Sequence, residues 1–181
     1  MERKNDTRLL KICFTAMFAA LICVATMIIR IPSPLGGYIN FGDTFIILAA
    51  WLLGPAWGFA AGGIGSALAD LFAGYAVYVP GTFVIKGLIA VIACVIFRAM
   101  SDKGGISKKI SRISAAIPAE IFMVAGYYLY AAVPMGEGFT VALQSIAGNA
   151  VQGVFGVIGS VVIMAVLEKT KIMSKFNIYC I

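Results

Sequence analysis

Seven polar side chains stand out in stretches that are otherwise too apolar for a water-exposed surface. They are Asp70, Tyr75, Tyr78, Lys86, Tyr127, Ser145 and Asn149. Charged groups inside apolar segments are costly, so by default they indicate a functional site. Together, carboxylate, ammonium, phenol and amide groups can bind a small polar ligand. Each group also has a purely structural explanation: Asp70 could pair with Lys86, Asn149 could join helices, and tyrosines at helix ends are typical of a membrane interface.

The composition predicts the elements that must position these groups. Of the 181 residues, 61% are hydrophobic and 12% are charged, whereas an ordinary soluble domain carries about 25% charged residues. Several apolar runs approach the roughly 20 residues that cross a bilayer as a helix. We therefore predict an all-α integral membrane protein, a compact single-domain bundle over residues 1–181. Its six transmembrane helices are predicted at about 9–31, 43–53, 56–73, 80–100, 113–133 and 139–167.

Helix breakers and small residues support these boundaries. Pro32 ends the first predicted helix, and Pro80 is well placed to begin the fourth. Small residues recur every fourth position from just before the third helix into it, at Gly54, Gly58, Gly62 and Ser66. One face of that helix is therefore nearly bare of side chains, which predicts close contact with neighbouring helices.

The basic residues predict the orientation in the membrane. The chain has 14 lysine and arginine residues, and all but Arg30 and Lys86 lie near the two termini or around the loop between helices 4 and 5. By the positive-inside rule these regions, including both termini, are cytoplasmic. This clustering at segment ends is a topology signal, so we do not expect nucleic acid as a partner.

Depth along the helices predicts which polar groups meet. Lys86 lies roughly 9 Å below the outer end of its helix, Tyr127 roughly 10 Å and Asn149 roughly 15 Å, with Ser145 one turn above Asn149. Asp70 lies near the outer end of the third helix. All five therefore belong to the outward-facing half, where a small polar ligand entering from outside would contact them.

Three other polar residues are predicted to have structural roles. Glu120 and Gln152 lie deeper, and we expect them to bond to one another. Asp43 is suited to be the N-cap of the second helix, with a ligand role as the less favoured alternative.

The sequence also argues against several chemistries. It contains no histidine and no CxxC motif, so neither a metal site nor a histidine-based catalytic triad is predicted. No GxxxxGK[ST] phosphate loop is present, so the chain is not expected to hydrolyse ATP. We expect neither catalysis nor a cofactor.

The run NFGDTFIILAAWLLGPAWGFAAGGIGSALADLFAGY, followed by PGTFVIKG, resembles the substrate-binding S components of energy-coupling factor (ECF) vitamin transporters. The likeness is to the riboflavin-type group, which also includes proposed carriers of hydroxymethylpyrimidine and pyridoxine. The resemblance implies capture of a vitamin from outside in a pocket formed mainly by helices 4 to 6 and the outer loops. It implies docking on a transmembrane coupling (T) subunit that carries two ATPases, in the plasma membrane of a prokaryote.

The resemblance also implies roles for two further regions. The loop from Pro32 to Gly42, with Tyr38 and Asn40, would act as a lid over the pocket. Ala16 and Ala20 form an AxxxA pair on helix 1, which the residues alone would assign to packing inside the bundle. In the family this surface contacts the coupling subunit.

Two questions stay open at this point. A small pyrimidine or pyridine vitamin precursor is favoured as the substrate, with riboflavin as the alternative. A structural or pore-forming membrane subunit is the rival from another class. A closed outward-facing cavity would favour the carrier, and a continuous aqueous path across the bundle would favour a pore.

Overall fold

The computed structural model describes residues 2–32, 38–101 and 107–170. Within these residues the chain forms six long α-helices, one four-residue helix and a pair of two-residue strands. In chain order the elements are α1 (Glu2–Ile28), β1 (Ile31–Pro32), β2 (Tyr38–Ile39), α2 (Gly42–Leu53), α3 (Pro55–Phe72), α4 (Val79–Ser101), α5 (Lys108–Ala132), α6 (Phe139–Ala142) and α7 (Gln144–Lys169). The predicted all-α architecture is confirmed.

Several boundaries differ from the sequence prediction. α1 begins at Glu2 and α5 at Lys108, whereas these helices are predicted to begin at about 9 and 113. α1 ends at Ile28, where the Arg30 side chain donates a hydrogen bond to the Met27 carbonyl (3.0 Å), and the chain then enters β1. The stretch predicted as a sixth helix is divided at Leu143 into α6 and α7. Leu143 itself keeps helical dihedral angles (φ −52°, ψ −32°), so the division is a local irregularity.

Four helices among the described residues are long and apolar enough to cross a membrane. They comprise Arg8–Ile28, Val79–Ser101, Lys108–Ala132 and Phe139–Lys169. The remaining two long helices fall short for different reasons. α2 has 12 residues, or about 18 Å, against the roughly 30 Å of a hydrocarbon core. α3 has 18 residues but is rich in glycine and carries Asp70.

The short helix α2 lies at the centre of the bundle. It packs against α1, α3, α4 and α7, and all its residues except Phe45 and Leu52 are buried. Ile46, Ile47 and Trp51 are at most 1% exposed and form the middle of the hydrophobic core. α2 is apolar on every side because other helices surround it, whereas α1, α5 and α7 each leave one apolar face exposed.

Close packing around α3 depends on the glycine face that the sequence predicted. A Cβ atom on Gly58 would lie 2.9 Å from the Ala50 Cα of α2. On Gly62 it would lie 3.0 Å from the Lys86 carbonyl oxygen of α4. The neighbouring Gly65 approaches the backbone of Ala19 in α1. Because the side chain of glycine is a single hydrogen atom, α1, α2 and α4 can contact the α3 backbone directly at these positions.

A buried arginine joins the helices at the end that contains both the start of α5 and the end of α7. Arg112 donates a hydrogen bond to Glu168 (2.7 Å), which joins α5 to α7. Its guanidinium lies 5.9 Å from the ring centre of Trp51 and 5.5 Å from that of Phe97. Four helices therefore meet around one side chain at this end, and the polar groups of the site gather at the other.

Candidate ligand-binding site

A cavity opens at the end of the bundle where α3 and α5 end and α4 and α7 begin. The centre of a water molecule can occupy about 70 Å³ of the cavity. Side chains from β2, α3, α4, α5, α7 and the connecting turns surround it. Its lining consists of Tyr38, Ile39, Asn40, Asp70, Tyr75, Tyr78, Thr82, Tyr127, Ala131, Glu137, Val141, Ser145, Gly148, Asn149 and Gln152.

Most residues singled out from the sequence lie around this one cavity. Asp70, Tyr75, Tyr78, Tyr127, Ser145 and Asn149 all line it. Tyr38 and Asn40, expected in the lid, line it as well. The lid segment holds the short antiparallel pairing of Ile31 with Ile39 and Pro32 with Tyr38, and its residues 33–37 lie outside the described residues.

Lys86 is the exception, because it lies behind the cavity wall. It is 3% exposed and forms an ion pair with Asp43 of α2, which is fully buried, at 2.5 Å. Its ammonium lies 5.3 Å from the ring centre of Tyr127, whose side chain separates it from the cavity. The alternative pairing of Lys86 with Asp70 does not occur. The prediction used the depth of Lys86 along α4, but the rotation of that helix directs the Lys86 side chain towards α2.

The prediction that Asp43 caps α2 is wrong. Its carboxylate accepts hydrogen bonds from Lys86 at one oxygen and from the Gln152 amide at the other (2.6 Å). The polar contact at the start of α2 comes from Asn40 instead, whose side-chain oxygen accepts from the Gly42 N–H (2.9 Å). Asp43 therefore joins α2 to α4 and α7 at a buried position.

The expected bond between Glu120 and Gln152 is also absent. The Gln152 oxygen accepts from both the backbone N–H and the side-chain amide of Asn40, at 3.0 and 3.1 Å. Glu120 is 4% exposed, and neither carboxylate oxygen has a hydrogen-bond partner among the described residues. Gln152 thus connects the lid to the buried Asp43–Lys86 pair.

A second set of hydrogen bonds connects the lid to α3. The Tyr38 hydroxyl donates to an Asp70 oxygen at 2.7 Å, and the Thr82 hydroxyl lies near the same carboxylate. Burial first, and then the Asp70 charge, raise the pKa of Tyr38 above its ordinary value, so the phenol remains a donor at neutral pH. The Thr82 hydroxyl also lies 3.0 Å from the Tyr127 hydroxyl, which brings α5 into the same network.

Aromatic rings form one side of the cavity. The Tyr38 and Tyr75 ring centres are 5.3 Å apart, and those of Tyr75 and Tyr78 are 6.2 Å apart. Burial and the nearby Glu137 carboxylate raise the pKa of Tyr78, so this hydroxyl also stays protonated. Rings beside amide, hydroxyl and carboxylate groups suit a small ring ligand that stacks and hydrogen-bonds.

Sequence reasoning missed several lining residues, and two of them had a detectable signal. Gln152 follows Asn149 by three residues and Ser145 precedes it by four, so helical spacing puts all three on one face of α7. Thr82 lies one turn before Lys86 on α4, at the level of Tyr127. Glu137 had no such signal, because it lies in the turn between α5 and α6.

The outer face of α1 carries the AxxxA pair. Ala16 and Ala20 are exposed, as are Met17 and Leu21 beside them. The opposite face, which includes Ala19, packs into the bundle against α3. Packing of Ala16 and Ala20 inside the bundle is therefore excluded.

Comparisons with known proteins agree with this arrangement. A family model described as "ECF-type riboflavin transporter, S component" matches residues 6–169. An uncharacterized protein in the gap 3′ region of Pyrococcus woesei is 39% identical over 144 residues, which cover 76% of this chain and 93% of the relative.

A solved structure has a similar fold. The S component of a bacterial ECF transporter aligns with a TM-score of 0.72 at 22% identity, covering 90% of this chain and 98% of that one. At this identity the likeness establishes the fold, whereas the family match extends over nearly the whole chain. This chain belongs to the family of S components of ECF-type riboflavin transporters.

Proposed function

We propose that the chain captures a small vitamin or vitamin precursor, similar to hydroxymethylpyrimidine or pyridoxine, and delivers it inward as the S subunit of an ECF-type importer. The family is a class of membrane transporter components and not of enzymes. The observation that supports capture at this site is the cavity itself. Tyrosine rings, amides and carboxylates from β2, α3, α5, α7 and the connecting segments converge on it, although they are far apart in sequence.

The size of the cavity supports a small ligand. About 70 Å³ of it is open to the centre of a water molecule, a limited space that suits one six-membered ring with short substituents. The family description favours the alternative, riboflavin, whose three fused rings and ribityl chain would require the lid to open further.

The proposed orientation follows from the positive-inside rule. With six spans and both termini in the cytoplasm, the cavity faces outward in the plasma membrane of a prokaryote. The hydrogen bonds from Tyr38 to Asp70 and from Asn40 to Gln152 hold the lid over the cavity. Opening of the lid breaks these contacts and admits the ligand. Lys86 then has a supporting role, because it fixes Tyr127 and Asp43 without contacting the ligand.

Ligand-induced stabilisation tests capture. The purified protein is heated with pyridoxine, with 4-amino-5-hydroxymethyl-2-methylpyrimidine or with riboflavin. Each ligand is present at a concentration well above a micromolar dissociation constant. A ligand that binds only the folded state raises Tm. We expect a rise of several degrees with at least one of the two small rings and a smaller one with riboflavin. No rise with any of the three would contradict the carrier.

We further propose that the exposed face of α1 around Ala16 and Ala20 docks on the coupling subunit, and through it on two ATPases. Small residues four apart permit close helix contact, and their exposure leaves that face available.

Bulky substitutions separate docking from capture. Ala16→Trp and Ala20→Trp should abolish uptake in cells that express the complete transporter, while ligand binding to the purified protein is unchanged. Ala125→Trp, at an exposed position on α5, is the matched control and should preserve uptake. Normal uptake by both α1 variants would exclude this docking surface.

A further inference from the structure

The cavity carries a negative charge excess. Two of its lining residues are carboxylates, Asp70 and Glu137, and none of the described lining residues is lysine or arginine. Asp70 is 7% exposed, and it accepts a hydrogen bond from the neutral Tyr38 hydroxyl, with the Thr82 hydroxyl close by. Hydroxyl groups orient a carboxylate without neutralising it, and the ammonium that acts on Asp70 from behind, Lys86, is shared with Asp43.

The nearest cations do not remove this excess. Lys86 is paired with Asp43, so the pair as a whole is neutral. The exposed Arg30 lies over the Tyr38 ring at 5.9 Å, on the lid side, and contributes one positive charge against two carboxylates. Residues 33–37 of the lid read SPLGG and contain no ionisable side chain. Glu120, whose side chain packs against Gly153 and Gly156 of α7, can only add to the negative charge.

A charge excess of this kind discriminates between ligands. Charges interact more strongly in a partly buried site than in water, so a bound anion close to Asp70 is strongly disfavoured. A protonated amine or ring nitrogen is favoured there for the same reason. Tyrosine rings add to the preference because their faces attract cations.

We propose that the cavity selects an unphosphorylated ring compound, neutral or positively charged, and that Asp70 and Glu137 exclude its anionic phosphate ester. This inference rests on the proposed function, since it concerns the ligand of the same cavity. Its novel content is the charge of the ligand and the assignment of specificity to these two carboxylates.

Matched ligands test the inference on the full-length protein in lipid nanodiscs at neutral pH. Dissociation constants are measured by calorimetry for riboflavin and riboflavin 5′-phosphate, and for pyridoxine and pyridoxine 5′-phosphate. If riboflavin or pyridoxine binds, the 5′-phosphate of that compound should bind at least about 100-fold more weakly. Pyridoxamine, which carries an ammonium where pyridoxine carries a hydroxyl, separates charge from size and should bind at least as tightly as pyridoxine.

Charge-removing variants identify the residues responsible. Glu137→Gln and Asp70→Asn should each reduce the discrimination against the phosphate ester by about tenfold and weaken pyridoxamine relative to pyridoxine. Glu168→Gln, at the opposite end of the bundle, is the matched control and should change neither ratio. If Asp70→Asn does not fold, Glu137→Gln in the turn between α5 and α6 still tests the inference.

The outcomes separate this inference from the proposed function. Equal affinity of the wild-type protein for a parent and its ester would overturn the inference and leave the carrier intact. Full discrimination in both charge variants would also overturn it, because size and not charge would then exclude the ester. Binding of none of these five compounds, together with no stabilisation by 4-amino-5-hydroxymethyl-2-methylpyrimidine, would overturn both.

Discussion

The ion pair of Lys86 and Asp43 shows what a single residue contributes. Both side chains are almost fully buried, and Gln152 donates to the second Asp43 oxygen. A buried pair is costly to desolvate, but a single buried charge is costlier, so removal of one partner is the damaging change. The pair therefore holds α2, α4 and α7 in register behind the cavity wall.

We predict that Lys86→Met lowers stability by about 3–5 kcal/mol, because it leaves the Asp43 charge buried without a counter-charge. The double variant Asp43→Asn/Lys86→Met should recover most of this loss. The measurement is Tm of the purified protein in detergent. Glu120→Gln is the comparison variant: its carboxylate has no hydrogen-bond partner among the described residues and lies near the Asp43 charge, so this change should leave Tm equal or higher. A Lys86→Met protein as stable as wild type would contradict this account of the pair.

At the residue scale, the sequence predicted depth but not direction. Asp70, Tyr127 and Asn149 were expected in the same half of the bundle, and they do line one cavity. Lys86 shares that depth, yet it faces α2. Its partner Asp43 is 43 residues away in the sequence. Asp43 also has the residue type and position expected of an N-cap, so no local pattern distinguishes helix capping from ion pairing.

At the element scale, α3 illustrates how sequence and packing correspond. A spacing of four between small residues predicted a bare face, and that face contacts the backbones of α2 and α4. The helices themselves followed from apolar length and from proline and glycine positions. The strands β1 and β2 could not be predicted, because two residues per strand give no periodicity.

We predict that Gly58→Val lowers stability by about 1–3 kcal/mol, because its side chain would meet the Ala50 backbone, which cannot move aside easily. Tm of the purified variant measures the loss. Ala56→Val adds a valine at an exposed position one half-turn earlier on α3 and should change Tm little. Equal Tm values for the two variants would show that α3 does not rely on close contact at Gly58.

At the scale of the whole molecule, one end of the bundle is closely packed and the other contains the cavity. The packed end is joined through Arg112, Glu168 and aromatic rings, and the polar cavity at the other end is lined in part by Tyr38 and Asn40. The exposed face of α1 forms a third surface, distinct from both. Such a division allows a ligand to bind at one place and a partner subunit at another, as the proposed capture and docking require.

We propose that the ligand occupies the cavity between α3, α4, α5 and α7. Asn149→Trp places a large ring in that cavity, whereas Ala150→Trp places the same ring at the next, exposed position of α7. The decisive measurement is the rise in Tm of each purified variant with pyridoxine, with 4-amino-5-hydroxymethyl-2-methylpyrimidine and with riboflavin. We predict that Asn149→Trp folds but shows no rise with the compound that stabilises the wild-type protein, while Ala150→Trp shows the full rise. Wild-type stabilisation of a folded Asn149→Trp protein would contradict the account.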